Sequence, residues 1–396
     1  MKGRAILIAG AGPLQVPLVH AARRLGLRTV VMDVNPQAPG LRLADSPHVA
    51  DIRDPEAALA IARSEQVAGV LSACTDYAVR TVAAVAHELG LPGPSVEAAR
   101  RATDKFQMRE AFAHGGAPTP KARHVGSVEE LRAAASALGY PVIVKPTDGV
   151  GSKGVTRVDS PAELEPAWTR GRAFSRTGAL VCEEFVEGPE VSVEGLTWQG
   201  RTHLVAITDK ITSGAPYFVE TGHTEVSRLP REAQESILHA TRKGIEALGI
   251  DSSGSHTEIR LGPHGPSIME IGARLGGDRI TSDLVPLATG VDIFVGAVQV
   301  ALGEEPDVLP RRQAGAAIRY FLPEPGTVLS IVGAEASKSV EGVVDWVLDV
   351  GVGGTVPPLE NSLTRVGHVV TRGSTPEEAA ERAERARALL KVTTRR

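Results

Sequence analysis

Short apolar segments alternate with amphipathic ones along the first 100 residues, and this alternation restricts the possible folds more than any other pattern in the chain. Apolar runs of four or five residues are typical of buried strands, whereas the segments between them have helical spacing. In chain order the predicted strands and helices lie at 5–9, 14–25, 29–33, 55–64, 69–72 and 76–89. Strands that alternate with helices pair in parallel and are covered on both faces, so residues 1–100 predict a doubly wound parallel-sheet domain.

The composition excludes several classes of protein. The 396 residues are 42% hydrophobic, which is enough for a large core, and the formal net charge is −4. This near balance of charge, with only 4% aromatic residues, argues against a nucleic-acid-binding surface. Cys74 and Cys182 are too few for a disulfide framework and are expected to be small buried side chains. The sequence has no run of about 18 apolar residues, so we expect a cytoplasmic protein without a membrane partner.

A glycine-rich loop at 148–154, Asp-Gly-Val-Gly-Ser-Lys-Gly, lies between two predicted strands at 142–145 and 155–158. It lacks the strand-to-helix context of a Walker P-loop, but its glycines let backbone N–H groups approach phosphate oxygens closely. Lys145 ends the apolar strand directly before the loop and needs either an anion or a route to water. A nucleotide phosphate held under the loop would supply that anion, and the alternative is a flexible hairpin tip.

An acidic segment follows the apolar strand predicted at 179–183. Its residues are Glu183, Glu184, Phe185 and Val186, with Glu190 four positions further on. A connecting segment of this kind can present one backbone C=O and one N–H to the edge of a purine, and a carboxylate beyond it can accept both hydroxyls of a ribose. The alternative is a solvated acidic turn.

Two alternating strands flank a Gly/Pro turn at 262–266 and predict a hairpin. Glu258 and Glu270 are each six residues from His264, so a symmetric register places them opposite each other, with Cβ atoms about 4.5–5.5 Å apart. Two such carboxylates repel unless a proton or a cation intervenes, and hard oxygen ligands suit Mg²⁺. Arg274 follows closely and offers a forked donor for a phosphoryl or carboxylate oxygen. The alternative is an exposed pair on a solvated hairpin.

Taken in this order, the motifs resemble those of the ATP-grasp superfamily. The resemblance covers residues 1 to about 330, and the remaining tail is similar to the closing domain of such enzymes. It implies an ATP-grasp fold of α/β and α+β character. The implied domains are an N-terminal pre-ATP-grasp domain at 1–100, an ATP-grasp domain at 101–305 with a mobile subdomain at about 115–188, and a C-terminal β-rich closing domain at 306–396.

The resemblance also implies ATP as the nucleotide and Mg²⁺ as its metal, with Mn²⁺ able to replace it. The residues implied to contact or cover the phosphates are Lys105, Lys145, Gly149, Gly151, Ser152, Lys153 and Gly154. Segment 183–186 would hold adenine and Glu190 the ribose. Glu258 and Glu270 would bind the metal, and Arg274 would steady the transferred phosphoryl group. One position departs from the family pattern, because Gly272 stands where members commonly carry Asn, and this leaves the number of bound Mg²⁺ ions open.

Within the superfamily, residues 209–223 look similar to a segment of the L-amino-acid ligases and related carboxylate–amine ligases. This similarity implies three catalytic residues. Lys210 would lie near the nucleotide phosphates, while His223 and Arg274 would lie at the substrate pocket; the alternative for His223 is a capped loop histidine. In the implied reaction a carboxylate attacks the γ-phosphorus of ATP to give an acyl phosphate and ADP, and an amine then displaces phosphate. His223 or a nearby carboxylate is a candidate base for the amine.

Other interpretations remain open on the sequence alone. Biotin carboxylase and the purine-pathway carboxylate enzymes share the same scaffold. Gly10-x-Gly12 after the first strand, with Asp33 ending the second, is similar to a dinucleotide fingerprint and would indicate an NAD(P)-linked oxidoreductase, although Gln15 stands at its third position.

A non-catalytic ATP-binding regulator is a further alternative, disfavoured because Glu258, Glu270 and Arg274 are all present. The partners that the resemblance implies are a small-molecule carboxylate, an amine and a second copy of the chain in a homodimer.

Overall fold

The N-terminal domain is built around a parallel sheet of four strands in the order β3-β2-β1-β4. We describe a computed structural model, which covers residues 3–395. The strands are β1 (Ala5–Ala9), β2 (Arg28–Asp33), β3 (Ser46–Val49) and β4 (Val67–Leu71). The helices are α1 (Val16–Arg24), α2 (Pro39–Leu43), α3 (Pro55–Ser64), α4 (Val79–Leu89) and α5 (Val96–Ala102). The predicted doubly wound domain is confirmed.

Strand β1 shows why the predicted strands of the N-terminal domain are continuous apolar runs. All five of its residues are buried. Successive side chains of a strand point to opposite faces. Ile6 and Ile8 accordingly pack in one core cluster, with α1 side chains, whereas Leu7 packs in another, with side chains of α3 and α4. A strand covered on both faces has no polar side, as parallel sheets require.

The predicted helix at 76–89 is three residues too long at its start, because α4 begins at Val79. The preceding residues are drawn away from the helix by a contact with a distant part of the chain. Ala73 forms a parallel bridge with Leu275, and the Cys74 N–H donates a hydrogen bond to the Leu275 carbonyl at 3.0 Å. The loop between β4 and α4 is therefore longer than the local pattern indicated.

A smaller antiparallel sheet follows helix α6 (Lys105–His114) and has its own core. Its strands are β5 (Ala122–Val125), β6 (Val142–Pro146), β7 (Thr156–Val158) and β8 (Leu180–Glu184), in the order β5-β8-β6-β7. Two helices cover it, α7 (Val128–Leu138) and α8 (Leu164–Ala173). Strands β6 and β7 pair in antiparallel fashion, so the glycine-rich loop caps a hairpin as predicted.

The largest sheet has eight antiparallel strands in the order β13-β12-β9-β10-β11-β14-β18-β16. Its first five strands in the chain are β9 (Glu190–Trp198), β10 (Arg201–Thr212), β11 (Glu220–Glu225), β12 (Ser253–Gly262) and β13 (Gly265–Gly272). The helices of this region are α9 (Arg231–Leu248), α10 (Val285–Thr289) and α11 (Ile293–Ala301), with a π-helical turn at Ile280–Leu284 before α10.

The C-terminal residues extend this sheet. Strands β14 (Gly315–Tyr320), β16 (Val343–Leu348) and β18 (Gly367–Gly373) join it, and β15 (Gly326–Val332), β17 (Thr355–Val356) and β19 (Lys391–Arg395) form a separate three-stranded sheet. The helices here are α12 (Ala334–Lys338) and α13 (Pro376–Leu389). The predicted β-rich C-terminal region is present, and the domain boundary at residue 305 stays a prediction because the sheet runs across it.

Within residues 3–395, no single helix is long and apolar enough to cross a membrane. One bent pair, Ile280–Thr289 with Ile293–Ala301, meets the criteria of length and composition only.

Candidate active site

A cavity of about 490 Å³ lies where the small sheet, the large sheet and the N-terminal domain meet. Every residue predicted for the nucleotide, the metal or catalysis lines this cavity except Gly154. A Cβ on Gly154 would lie 3.0 Å from Pro146 Cγ and 3.2 Å from Phe174 Cβ, and its φ is +76°. The placement of Gly154 in the nucleotide site is therefore not supported, since this glycine shapes the base of the loop.

Lys145 and Glu183 form a buried ion pair on neighbouring strands of the small sheet. Lys145 Nζ lies 2.8 Å from Glu183 Oε2, and Arg109 Nε from α6 lies 2.8 Å from Oε1 of the same carboxylate. Burial lowers the pKa of Lys145, whereas the two cations hold the pKa of Glu183 below its usual value despite burial. Glu183 is thus an anchor for Lys145, and its side chain is not part of a solvated turn.

Several backbone groups at the end of β8 are already hydrogen-bonded within the protein. The N–H groups of Glu184 and Phe185 donate to the carbonyls of Lys121 and Pro141. The Val186 carbonyl accepts from Arg260 Nη1 at 3.2 Å. The predicted contact of one C=O and one N–H with a purine edge stays a prediction. Phe185 also faces Phe218, with ring centroids 6.1 Å apart. These two rings give the cavity an aromatic wall, and Phe218 was not singled out from the sequence.

Lys210 connects the predicted ribose and metal positions. Its Nζ lies 2.7 Å from Glu190 Oε1 and 2.6 Å from Glu258 Oε1, and 3.6 Å from Glu220 Oε1. Although burial opposes the charge, these carboxylates raise the pKa of Lys210 well above its ordinary value. Arg260 also contacts Glu190, at 2.9 Å. Lys210 therefore stays charged, and together with Arg260 it offsets part of the negative charge on this wall of the cavity.

Glu258 and Glu270 lie directly opposite each other, as predicted, but the register differs from the one assumed. Gly262 pairs with Gly265 around a two-residue turn, which alone would place Glu258 opposite Met269. A β-bulge leaves Met269 as an extra residue on β13 and restores the pairing of the two carboxylates. Lys105 Nζ lies 3.0 Å from Glu270 Oε2 and donates to the Gly149 carbonyl at 2.8 Å, so it links the hairpin to the glycine loop.

His256 is a site residue that the sequence interpretation missed. Its Nδ1 contacts the fully buried Glu194, and its Nε2 lies 3.6 Å from Glu258 Oε1. Although burial opposes protonation, Glu194 raises the pKa of His256 to about 9. The alternation of β12 was a usable signal, because His256 lies two residues before Glu258 and shares its face.

The facing carboxylates fit the binding of Mg²⁺ together with nucleotide phosphates. Lys210 and His256 hold the pKa of Glu258 well below its usual value although burial opposes this, so this ligand is ionised. Among residues 3–395 no group of three or more Asp, Glu, His and Cys side chains is arranged to hold a metal. Mg²⁺ typically takes one or two carboxylates, with phosphate and water oxygens completing its shell, so Glu258 and Glu270 are the expected protein ligands.

A second charged cluster brings together three distant parts of the chain. Asp278 accepts hydrogen bonds from Arg365 Nη1 at 2.8 Å and Nη2 at 2.7 Å, and His223 Nε2 lies 3.3 Å from Asp278 Oδ2. Although burial opposes ionisation, Arg365 and His223 lower the pKa of Asp278. The sequence interpretation found His223 but neither of its partners, and no local pattern marks Arg365.

Arg274 reaches the cavity already paired. Its Nε and Nη2 donate to the two carboxylate oxygens of Asp76, at 2.8 and 2.7 Å. Asp76 belongs to the loop between β4 and α4, and it was not predicted because its partner lies 198 residues away. This pair and the Asp278–Arg365 pair, with His223, define what we call the substrate end of the cavity.

The glycine turn after β1 is filled by the protein's own groups. The Ala11 N–H donates to Asp33 Oδ2 at 2.8 Å, and Gln15 Nε2 donates to the Ala73 carbonyl at 2.8 Å. A Cβ on Gly12 would lie 2.9 Å from Gln15 Oε1. The dinucleotide interpretation therefore finds no support in this turn, since Asp33 is occupied by the turn itself.

Three family models match the chain. They describe an ATP-grasp N-terminal domain over residues 19–93, an ATP-grasp domain over 138–283 and the L-amino acid ligase C-terminal domain 2 over 319–395. The first covers strands β2, β3 and β4 of the N-terminal sheet, the second covers most of the cavity wall, and the third covers the C-terminal region that supplies Arg365.

Individual proteins are similar over different lengths. The alanine–anticapsin ligase of Bacillus subtilis (strain 168) is 32% identical over 222 residues, which are 50% of this chain and 47% of that ligase. The chain thus matches about half the length of that relative. The formate-dependent phosphoribosylglycinamide formyltransferase of Burkholderia thailandensis is 27% identical, with 99% of this chain and 96% of that enzyme covered. The crystal structure of L-amino acid ligase from Bacillus licheniformis superposes with a TM-score of 0.84 at 26% identity, covering 100% of both chains.

Proposed function

The chain belongs to the ATP-grasp superfamily of ATP-dependent, ADP-forming ligases, and we propose that it joins the carboxylate of one amino acid to the amine of another. The observation that carries this proposal is the charge balance at the substrate end. Each of its two arginines is paired with an aspartate, Arg274 with Asp76 and Arg365 with Asp278.

This balance suits a zwitterion better than a phosphate ester. Arg365 Nε donates to the Ser362 carbonyl, and Nη2 donates to Asp278. Nη1 donates to both Asp278 and the Glu220 carbonyl. A phosphate ester brings two negative charges and needs several guanidinium or ammonium donors that are not already paired, whereas of these two arginines only Arg274 Nη1 lacks a short hydrogen bond. An amino acid brings one charge of each sign. Apolar side chains complete the walls of this part of the cavity, namely Leu14, Ile280 and Leu363.

The proposed reaction has two chemical steps, as the resemblance to carboxylate–amine ligases implies. The oxygen of the substrate carboxylate attacks the γ-phosphorus while the bond to the ADP oxygen breaks, and no base is needed because a carboxylate is already nucleophilic. Positioning and neutralisation of charge dominate such a transfer, and Lys105, Lys145 and Lys210 supply cations around it. Mg²⁺ bound by Glu258 and Glu270 would neutralise phosphate charge. The amine then attacks the acyl carbon, phosphate leaves, and a proton passes from the amine to a base, for which His223 beside Asp278 is our candidate.

The experiment is a ligation screen with ATP, Mg²⁺ and pairs of amino acids, in which ADP, phosphate and the mass of the product are measured. We expect ADP and phosphate in equal amounts, together with a dipeptide. Release of AMP and pyrophosphate would contradict the proposal. The variant Glu270→Gln should lose turnover, whereas Glu246→Gln, an exposed position on α9, should retain it.

One alternative has specific support, which is the match over nearly the whole chain to the phosphoribosylglycinamide formyltransferase. The screen therefore includes formate with phosphoribosylglycinamide. Turnover with that pair but with no pair of amino acids would favour a purine-pathway reaction. We also propose a homodimer, and light scattering of the purified protein tests it.

A further inference from the structure

The loop between β4 and α4 carries part of the N-terminal domain into the active-site cavity. We call residues 72–78 the docking loop, because they lie against residues 272–277 at the end of the β12–β13 hairpin. Besides the backbone contacts of Ala73 and Cys74 with Leu275, Cys74 Sγ donates to the Gly276 carbonyl at 3.1 Å. The docking loop is therefore fixed to the segment that bears Arg274.

Asp76 holds Arg274 by one edge of its guanidinium group. The two hydrogen bonds, at 2.8 and 2.7 Å, use Nε and Nη2, and both side chains are only 13% exposed. A bidentate pair of this kind fixes the plane of the guanidinium as well as its position. Nη1 is left with a long contact of 3.4 Å to the Leu275 carbonyl, so it is the donor least engaged by the protein.

Gly272 is the position that makes room for this pair. A Cβ there would lie 2.9 Å from Asp76 Oδ1 and 3.0 Å from Arg274 Cζ. A side chain at residue 272 and the Asp76–Arg274 pair therefore compete for the same space. Gly272 departs from the family pattern, and the lack of a side chain there leaves the space in which Asp76 of the N-terminal domain pairs with Arg274.

We propose that Asp76 is a positioning residue, which the N-terminal domain supplies to orient the Arg274 guanidinium so that Nη1 meets the transferred phosphoryl group. This assignment rests on the proposed function, because it needs ATP to be used in this cavity. Asp76 acts only through Arg274, and Gly272 is required because any side chain there displaces the pair.

The test is a double-mutant cycle with Asp76→Asn, Arg274→Lys and the double variant. Misplacing a catalytic group by about 1 Å can cost on the order of 100-fold in rate, so we expect Asp76→Asn to lower kcat about 100-fold, with KM for ATP changed less than about twofold. In the Arg274→Lys background, Asp76→Asn should add little, because residues that act as one unit are not additive. Gly272→Ala should lower kcat similarly with Asp76 intact.

A matched control is Asp292→Asn. Asp292 pairs with Arg24, so this variant also changes an ion pair between the N-terminal and central regions, but both side chains are more than 40% exposed. Asp292→Asn should keep kcat. Unchanged kcat in Asp76→Asn would overturn the proposal, as would losses that multiply in the double variant.

A second measurement needs no turnover and separates this proposal from the proposed function. Hydrogen exchange of the amides at 272–277 should become faster in Asp76→Asn than in the wild type. If the wild type ligates no amino acids but this exchange still rises, only the proposed function fails. If ligation occurs and neither exchange nor kcat responds to Asp76→Asn, only the positioning role fails.

Discussion

Glu225 illustrates at the scale of a single residue how the surroundings decide whether a buried acid is charged. It lies on β11 with no exposed surface, and Thr208 Oγ1 donates to its Oε2. Its Oε1 has no hydrogen-bond partner among the described residues. Burial raises the pKa of Glu225 to about 8, whereas Glu183, equally buried, is held ionised by Lys145 and Arg109. The neutral form of Glu225 is therefore the one that the fold accommodates.

The pH dependence of stability should report this group. The pKa of Glu225 is higher in the folded state than in the unfolded state. The stability that Glu225 contributes is therefore fully present below pH 4.5, the pKa of the unfolded state, and is lost as the pH rises toward 8. Glu225→Gln keeps the shape without the charge. Between pH 5 and 8 this variant should gain stability over the wild type by on the order of 3 kcal/mol, measured by urea unfolding. The exposed change Glu246→Gln should show no such gain, and an equal response of both variants would contradict the prediction.

The glycine loop and the β12–β13 hairpin show what single elements contribute. Lys105 touches both, with Nζ bonded to Glu270 and to the Gly149 carbonyl. Lys105 therefore links the glycine loop to the hairpin in this conformation. Gly151 and Ser152 both have positive φ, at +63° and +58°, and a glycine is the residue that adopts this conformation without strain.

We expect Gly151→Ala to weaken ATP use through backbone strain alone. A Cβ at Gly151 meets no atom within 4 Å, so no steric clash contributes. Left-handed backbone costs about 1–2 kcal/mol for a residue with a Cβ, and KM for ATP should rise about tenfold. Gly200→Ala is the matched control, because Gly200 has φ +76°, equally open space and a place in the turn between β9 and β10. An equal effect on KM in both variants would refute a role of the loop.

The hairpin also shows the limits of reasoning from sequence about one element. The facing of Glu258 and Glu270 was predicted from their equal distance from His264. The pairing is correct, but it depends on a bulge at Met269 that the count did not include. Alternation reveals which residues share a face, whereas the register is decided by turn geometry and bulges.

At the scale of the whole molecule, the cavity is assembled from three regions. The N-terminal domain supplies Asp76, the central region supplies the lysines and most carboxylates from its two sheets, helix α6 and the glycine loop, and the C-terminal region supplies Arg365. Arg365 lies beside Tyr320, with its guanidinium carbon 3.7 Å from the ring centroid, and bonds to Asp278. The C-terminal region is therefore part of the substrate end.

Removal of Arg365 should affect the amino-acid substrates more than ATP. Arg365→Ala leaves Asp278 with His223 but without its main cation, and breaking a buried pair costs about 3–5 kcal/mol. KM for the amino acid should rise at least tenfold while KM for ATP changes little, as steady-state kinetics would measure. Arg387→Ala, on α13 with a partly exposed partner Glu384, should leave both constants unchanged. Equal changes in both KM values would contradict the assignment.

The sequence by itself determined three of the four strands of the N-terminal sheet, the hairpin of facing glutamates and the glycine loop, since each depends on spacing within a short segment. Together with the family resemblance, it also identified less than half of the residues that line the cavity. Only the tertiary structure decided how those residues are paired. Asp76, Glu194, Asp278 and Arg365 each meet partners between 55 and 198 residues away. No local pattern encodes such contacts, because a side chain's distant partner is chosen by the packing of whole elements, and this packing also decides which charges in the cavity are already neutralised.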